Sequence, residues 1–201
     1  MTRPNIIKII CHDIGKHLGC YGIKSLNTNS IDSLAKDGIL FNNAFATSPG
    51  CSPSRAAIAT GRYPHNTGVL GLAHAHFGWS LDKKIKHIAK YFSSNDYNSI
   101  LFGLQHVTYH EETLGFKKIF PERPADHVIK NIEDNIDTIL FKKPFYAEVN
   151  FFEPHRPFDY GGVKPFRSKG VFIPKYIPNN SNIKKEFAAM QGEIKKMDES
   201  V

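Results

Sequence analysis

The sequence predicts an α/β domain built on a largely parallel sheet, and three observations carry that prediction. The chain has 201 residues, enough for one domain with a buried core. Its composition is that of a globular protein, 41% hydrophobic and 22% charged, which excludes a disordered, collagenous or coiled-coil chain. Short apolar stretches of strand length alternate with segments whose apolar residues recur every three or four positions, the order of strand, helix, strand units.

The elements follow in chain order. Ile6 to Cys11 reads as a buried strand, broken only by Lys8. Asn29 or Ser30 can cap a helix carrying Ile31, Leu34 and Ala35, which Gly38 stops. Ile39 to Phe45 reads as a short strand. Cys51 to Arg55 leads into a short helix, Ala56 to Thr60, closed by Gly61, with Pro53 suited to a first helical position. Asp82 to Ser93 carries Ile85, Ile88, Ala89 and Phe92 on one helical face, and Ser99 to Phe102 is the next strand. Ala125 to Phe141 repeats the helical period, and Pro144 to Phe152 is a third strong strand. From Ile183 the apolar positions Phe187, Met190, Ile194, Met197 and Val201 keep helical spacing without a stop signal. That pattern predicts a helix cut off mid-face, with an apolar side left for a partner.

No apolar run approaches the roughly 20 residues of a membrane span, so no membrane partner is expected. The first residues lead straight into a strand without the apolar region of a secretory signal, so a cytoplasmic protein is expected. Three cysteines, Cys11, Cys20 and Cys51, form neither a disulfide framework nor a zinc spacing. The net charge of +7 favours anionic partners. Its lysines are scattered as on a solvated surface, and no aromatic-basic module accompanies them, so no nucleic-acid partner is expected.

In parallel α/β sheets ligands bind beyond the carboxyl ends of the strands. Three predicted strand ends deliver imidazoles there: Cys11-His12-Asp13, Gly103-Leu104-Gln105-His106, and Phe152-Glu153-Pro154-His155-Arg156. Three such residues point to acid/base or metal chemistry. Cys51 stands at a helix start whose free N–H groups favour negative charge, with Arg55 one turn onward on the same face. This is an anion site with a nucleophile. Its Cys-x3-Arg spacing is not the Cys-x5-Arg of thiol phosphatases.

Cys51-Ser52-Pro53-Ser54-Arg55, continuing as Ala56-Ala57-Ile58-Ala59-Thr60-Gly61-Arg62, resembles the sulfatase signature, in which the cysteine is converted after translation to Cα-formylglycine. Pro4 through Asp13, Gly103 to His106 and Phe152 to Arg156 resemble flanking parts of the same family, so the likeness covers essentially the whole chain. It is similar above all to bacterial proteins related to heparan N-sulfatases. The resemblance implies a three-layer αβα sandwich of the alkaline-phosphatase-like type, present only in part. It implies hydrolysis of a sulfuric ester or sulfamate. A hydrated formylglycine at position 51 would attack sulfur with one hydroxyl and expel sulfate with the other. Arg55 would balance charge, His106 would handle a diol proton, and His155 would contact the sulfate and protonate the leaving group. A divalent cation, by resemblance calcium, would be held by Asp13, His12 and the modified Cys51. Arg156, His74 and His76 are weaker candidates for substrate contacts. The implied partners are a small sulfated substrate, such as a sulfated sugar or an aryl sulfate, and a formylglycine-generating maturation enzyme.

The chain departs from the family pattern at three places. His12 stands where the family commonly has the first of two adjacent aspartates, and Leu104 where it has a lysine. The downstream Asp-Asn pair of metal ligands is missing, because Asp134-Asn135 falls inside a predicted helix. Residues 1–201 therefore read as the truncated N-terminal part of a sulfatase catalytic domain, with little or no turnover of its own. Two other readings remain: a phosphonate monoester hydrolase or phosphodiesterase using the same nucleophile, and a non-catalytic remnant.

Overall fold

Ile6–Ile10 forms the first strand, β1, of the computed structural model, which describes residues 3–137 and 144–201. The chain divides into two compact units. The first comprises Met1–Ile10, Phe45–Arg123 and His127–Asn150, and the second Cys11–Ala44, Pro124–Asp126 and Phe151–Val201.

The first unit contains the sheet. β2 (Asn98–Gly103), β3 (Lys118–Phe120) and β4 (Phe145–Asn150) join β1 in the order β1-β4-β2-β3, and every pairing is parallel. β4 is buried at all six positions and β2 at five of six, as expected of inner strands of a parallel sheet. β1 departs from expectation. It lies at the sheet edge, and Ile7 and Ile9 stand 60% and 40% exposed while their neighbours are half-buried. The last residue of β2, Gly103, is fixed by packing. It has φ +87, and a Cβ there would overlap the Asn150 carbonyl oxygen, so only glycine lets β2 run beside β4 to its end.

The expected helix from Asp82 shrinks to α3 (Ile88–Ser93), because His87 caps it from within the predicted span. Its Nδ1 accepts from the Ala89 N–H at 3.1 Å, and burial holds the imidazole down to about 4, which keeps the lone pair available. Ile88, Ala89 and Phe92 then pack on Tyr97 and Tyr146, with the Phe92 and Tyr146 rings stacked 4.5 Å apart. Across the β1/β4 ladder Lys8 lies opposite Glu148, 2.6 Å from it, and the carboxylate also accepts from Tyr146 Oη and Asn150 Nδ2. Burial alone would raise this carboxyl. The Lys8 ammonium leads the interactions that outweigh burial and hold it below the usual range.

α2 (Cys51–Thr60) starts five residues before the expected Ala56, so Pro53 sits third in the helix rather than first. Gly61, at φ 68, ends it by donating its N–H to the Ala57 carbonyl. α4 is Ala125–Asn135, and the expected extension to Phe141 lies partly outside the described residues.

The second unit is organised by α1 (Asn29–Asp37) and α5 (Ser181–Asp198). α1 begins after Thr28, and its first turn is satisfied by Asp198, whose carboxylate accepts from the Ser30 and Ile31 N–H groups at 3.1 and 2.9 Å. Asn180 caps α5 by accepting from the Asn182 and Ile183 N–H groups. Gln191, 2% exposed, accepts from Phe172 N and Ser25 Oγ and donates to the Phe166 and Gly170 carbonyls. It thereby ties residues 166–172 to α5.

Two expectations fail here. Ile39 to Phe45 forms no strand: Ile39, Phe41 and Phe45 are 82%, 68% and 88% exposed, and apolar alternation makes a strand only where another strand takes up its main-chain groups. The apolar face of α5 is not left open, since Met190, Ile194 and Met197 are buried. No helix among the described residues is long and apolar enough to cross a membrane.

Candidate active site

In the first unit the candidate residues gather at the start of α2 and the end of β2. Cys51 is the first residue of α2, a half-buried free thiol after a Gly50 cap that supplies no side-chain acceptor. The first-turn N–H groups of a helix have no i−4 partner, so they and the dipole favour negative charge at this side chain. Pro53 has no N–H, and Ser54 N donates back to the Gly50 carbonyl at 3.0 Å, which leaves the free donors beside Cys51 itself. The buried Ser52 Oγ accepts from Ala73 N at 3.0 Å, tying the segment that carries His74 to this helix end.

Arg55 is 5% exposed, and its Nη1 donates to the Leu104 carbonyl at 3.2 Å. The guanidinium is thus held against the loop that follows β2. That loop is set by Gln105, buried at 7%, whose Oε1 accepts from Val107 N at 2.6 Å and Thr108 N at 3.1 Å while Nε2 donates to the Thr108 carbonyl. His106 is forced into the left-handed region at φ 59 and stacks its ring on His74 with centroids 4.4 Å apart. Strain of this kind persists only where its surroundings over-determine it. His74 and His76 are exposed, and His76 touches Phe77 edge-on at 5.6 Å.

In the second unit His12, Asp13 and His155 come together. The His12 N–H donates to the Glu153 carbonyl at 3.2 Å, joining the two segments, and its side chain is 2% exposed. His12 Nδ1 lies 3.7 Å from Asp13 Oδ1, and His155 Nε2 lies 3.8 Å from Asp13 Oδ2. The two imidazoles meet edge to face at 4.9 Å, with Phe152 tilted against both. A carbonyl oxygen can only accept, so the 2.6 Å contact of His155 Nδ1 with the Arg156 carbonyl puts the proton on Nδ1. Arg156 pairs with Glu186 at 3.0 Å over the Phe158 ring. That pair lines two depressions of about 700 and 370 Å³, the second of which also reaches Asp13, Phe187 and Met190.

Cys51, expected as a metal ligand with His12 and Asp13, belongs to the first unit, and within the second unit the further donor is His155. Sequence reading missed Gln105, whose role is local loop geometry. It also missed Glu153 and Glu193, whose carboxyls burial pushes up, that of Glu193 to about 8. Isolated glutamates carry no spacing signal.

A family model described as Sulfatase matches residues 4–154. A curated relative, the ulvan-active sulfatase of Formosa agariphila, is 32% identical over 187 residues, covering 90% of this chain and 35% of its own length. The human N-sulphoglucosamine sulphohydrolase is 26% identical and matches the whole chain, over 46% of its own length. The solved structure of the sulfatase yidJ from Bacteroides fragilis superposes with a TM-score of 0.74 at 20% identity, over 98% of this chain and 56% of that one. The chain therefore spans between about a third and somewhat over half of these proteins.

Proposed function

The chain belongs to the sulfatase family, whose members hydrolyse sulfuric esters, and on that premise we propose that it is the N-terminal part of a formylglycine-dependent hydrolase of small sulfated compounds. The observation that carries the reading is the first unit's group. A cysteine begins a helix, a buried arginine follows one turn later, and that arginine holds the loop that bears a strained, stacked histidine. The ulvan-active and N-sulphoglucosamine relatives act on sulfated sugars by their names, which favours a sulfated saccharide ester or sulfamate as substrate.

Cys51 fits the modification, being half-buried at a helix start rather than sealed in the core. Formylglycine supplies a hydrated aldehyde whose hydroxyl is the nucleophile toward sulfur. Arg55 places a fixed positive charge beside position 51, where negative charge develops on the sulfate oxygens, and its buried guanidinium needs no reorganisation to do so. His106 stands ready to take the hydroxyl proton, with His74 as the stacked support that orients its ring. The acid role expected of His155 requires a proton on Nε2, since Nδ1–H is spent on the Arg156 carbonyl. Arg156, already paired with Glu186, serves the substrate beyond the sulfate.

Family membership also implies a metal ion. Calcium takes six to eight oxygen ligands, whereas His12, Asp13 and His155 offer two imidazoles and one carboxylate, and this donor set does not fit calcium.

The test is a peptide mass map of the protein from its own host, joined to rates on matched aryl sulfate and aryl phosphonate esters. An aldehyde at position 51 and faster sulfate hydrolysis are expected. An unmodified thiol with no turnover refutes the reading, and faster phosphonate hydrolysis replaces it with the phosphonate monoester hydrolase.

A further inference from the structure

We infer that His12, Asp13 and His155 form a three-donor metal site that takes a borderline first-row divalent cation, represented by zinc, in preference to calcium. The inference rests on the sulfatase reading only for the expectation of an ion, and the donor geometry stands by itself. Among the described residues these three form the one group of His, Cys, Asp and Glu whose ligand atoms lie close enough to share an ion, all within 4.8 Å of one another. Zinc binds nitrogen and oxygen at about 2.0–2.2 Å, which places two tetrahedral donors about 3.4 Å apart. Asp13 Oδ1 lies 3.7 Å from His12 and Oδ2 lies 3.8 Å from His155, with the three ligand atoms within 4.8 Å of one another, so rotations of the Asp13 and His155 side chains are needed to gather them on one ion.

The orientation of the His155 ring points the same way. With Nδ1 committed to a carbonyl, His155 turns Nε2 toward Asp13 Oδ2. A metal-binding imidazole typically commits its other nitrogen to a carbonyl or carboxylate in this way. Asp13 is held at φ 44, a left-handed conformation costly outside glycine, and in it the carboxylate reaches both imidazoles. Its side chain is 57% exposed, so solvent or an anion can reach the remaining coordination positions. Imidazole nitrogen suits zinc and its neighbours, whereas calcium selects oxygen. A lone pair given to an ion holds no proton, so with an ion bound His155 would be a ligand in place of the acid.

The test titrates the metal-free 201-residue chain with zinc and with calcium by calorimetry, and repeats it on His12→Asn, His155→Asn and Asp13→Asn variants whose folding is checked by thermal melts. Cobalt(II) spectra without a thiolate charge-transfer band exclude Cys11, Cys20 and Cys51 as ligands. One equivalent of zinc should bind about 100-fold or more tighter than calcium, and each variant should lose roughly tenfold or more in zinc affinity. His12→Asp should narrow the gap between the two ions. Calcium binding as tight as zinc, zinc binding unmoved by the variants, or no binding at millimolar zinc would overturn the inference. Where the buried His12 variant does not fold, the exposed Asp13 variant decides. None of these readouts depends on turnover or on the mass at Cys51, so failure here leaves the sulfatase reading standing, and the reverse.

Discussion

Replacing Glu193 by glutamine should flatten the pH dependence of stability between pH 5.5 and 7.5. Glu193 is fully buried on α5, and burial first, then the Glu153 carboxylate, pushes its carboxyl from 4.5 up to about 8. Across this window the folded protein keeps the proton while the unfolded chain has released it. The folded state binds more protons, so stability falls as pH rises, by about 1.4 kcal/mol for each pH unit crossed. Allowing for partial ionisation near 8, the loss from pH 5.5 to 7.5 is about 2.5 kcal/mol, or roughly 5–10 °C in melting temperature for a chain of this size. His87 works in the opposite direction. It is held neutral down to about 4 in the fold and charges near 6.5 when unfolded, so its contribution grows as pH rises through 6.5. Glu148, held low, is constant here, and Glu153 is shifted by burial in the same direction as Glu193. All three persist in the variant, so the difference between the two slopes isolates Glu193. Thermal melts of both proteins at half-unit pH steps measure it. Parallel slopes would refute the reasoning, as would a variant whose stability falls more steeply than the parent's.

Gly103→Ala should cost about 3 kcal/mol or more, because it combines a left-handed backbone with overlap on the Asn150 carbonyl, and denaturant titration reads the loss. Gln191→Leu removes four hydrogen bonds and leaves the Phe172 N–H and the Phe166 and Gly170 carbonyls without that partner. A loss of about 2–4 kcal/mol is expected, with faster amide exchange confined to residues 166–172. Arg55→Lys keeps the charge but loses the fork that grips the Leu104 carbonyl, and kcat of the mature full-length protein should fall about 100-fold with little change in melting temperature.

The sheet was legible because its signals are local and redundant: β2 and β4 are mostly apolar, largely buried stretches of strand length, and α5 keeps its period for five turns. The start of α2 was misplaced because a helix can open on Cys51 and Ser52 without any side-chain cap. The Ile39 to Phe45 stretch misled because strand formation belongs to pairs of segments, which a single segment's pattern does not report. In the site, Cys51 and Arg55 were visible as a spaced pair, and the histidines as residues following strands. The contact of His155 with Asp13 was not, since those residues are 142 positions apart and their meeting depends on the His12 to Glu153 backbone bond. The protonated state of Glu193 was equally hidden, because it is a property of what surrounds the residue rather than of the residue.

The cap on α1 sets an order of events during synthesis. Ser30 and Ile31 leave the ribosome early, but the carboxylate that satisfies their N–H groups lies 168 and 167 residues later. At about 5–20 residues per second, the first turn of α1 waits on the order of 10–30 s for its acceptor. In that interval the helix is a fraying segment solvated by water, and it becomes a fixed part of the fold only when the last turn of α5 arrives to close it.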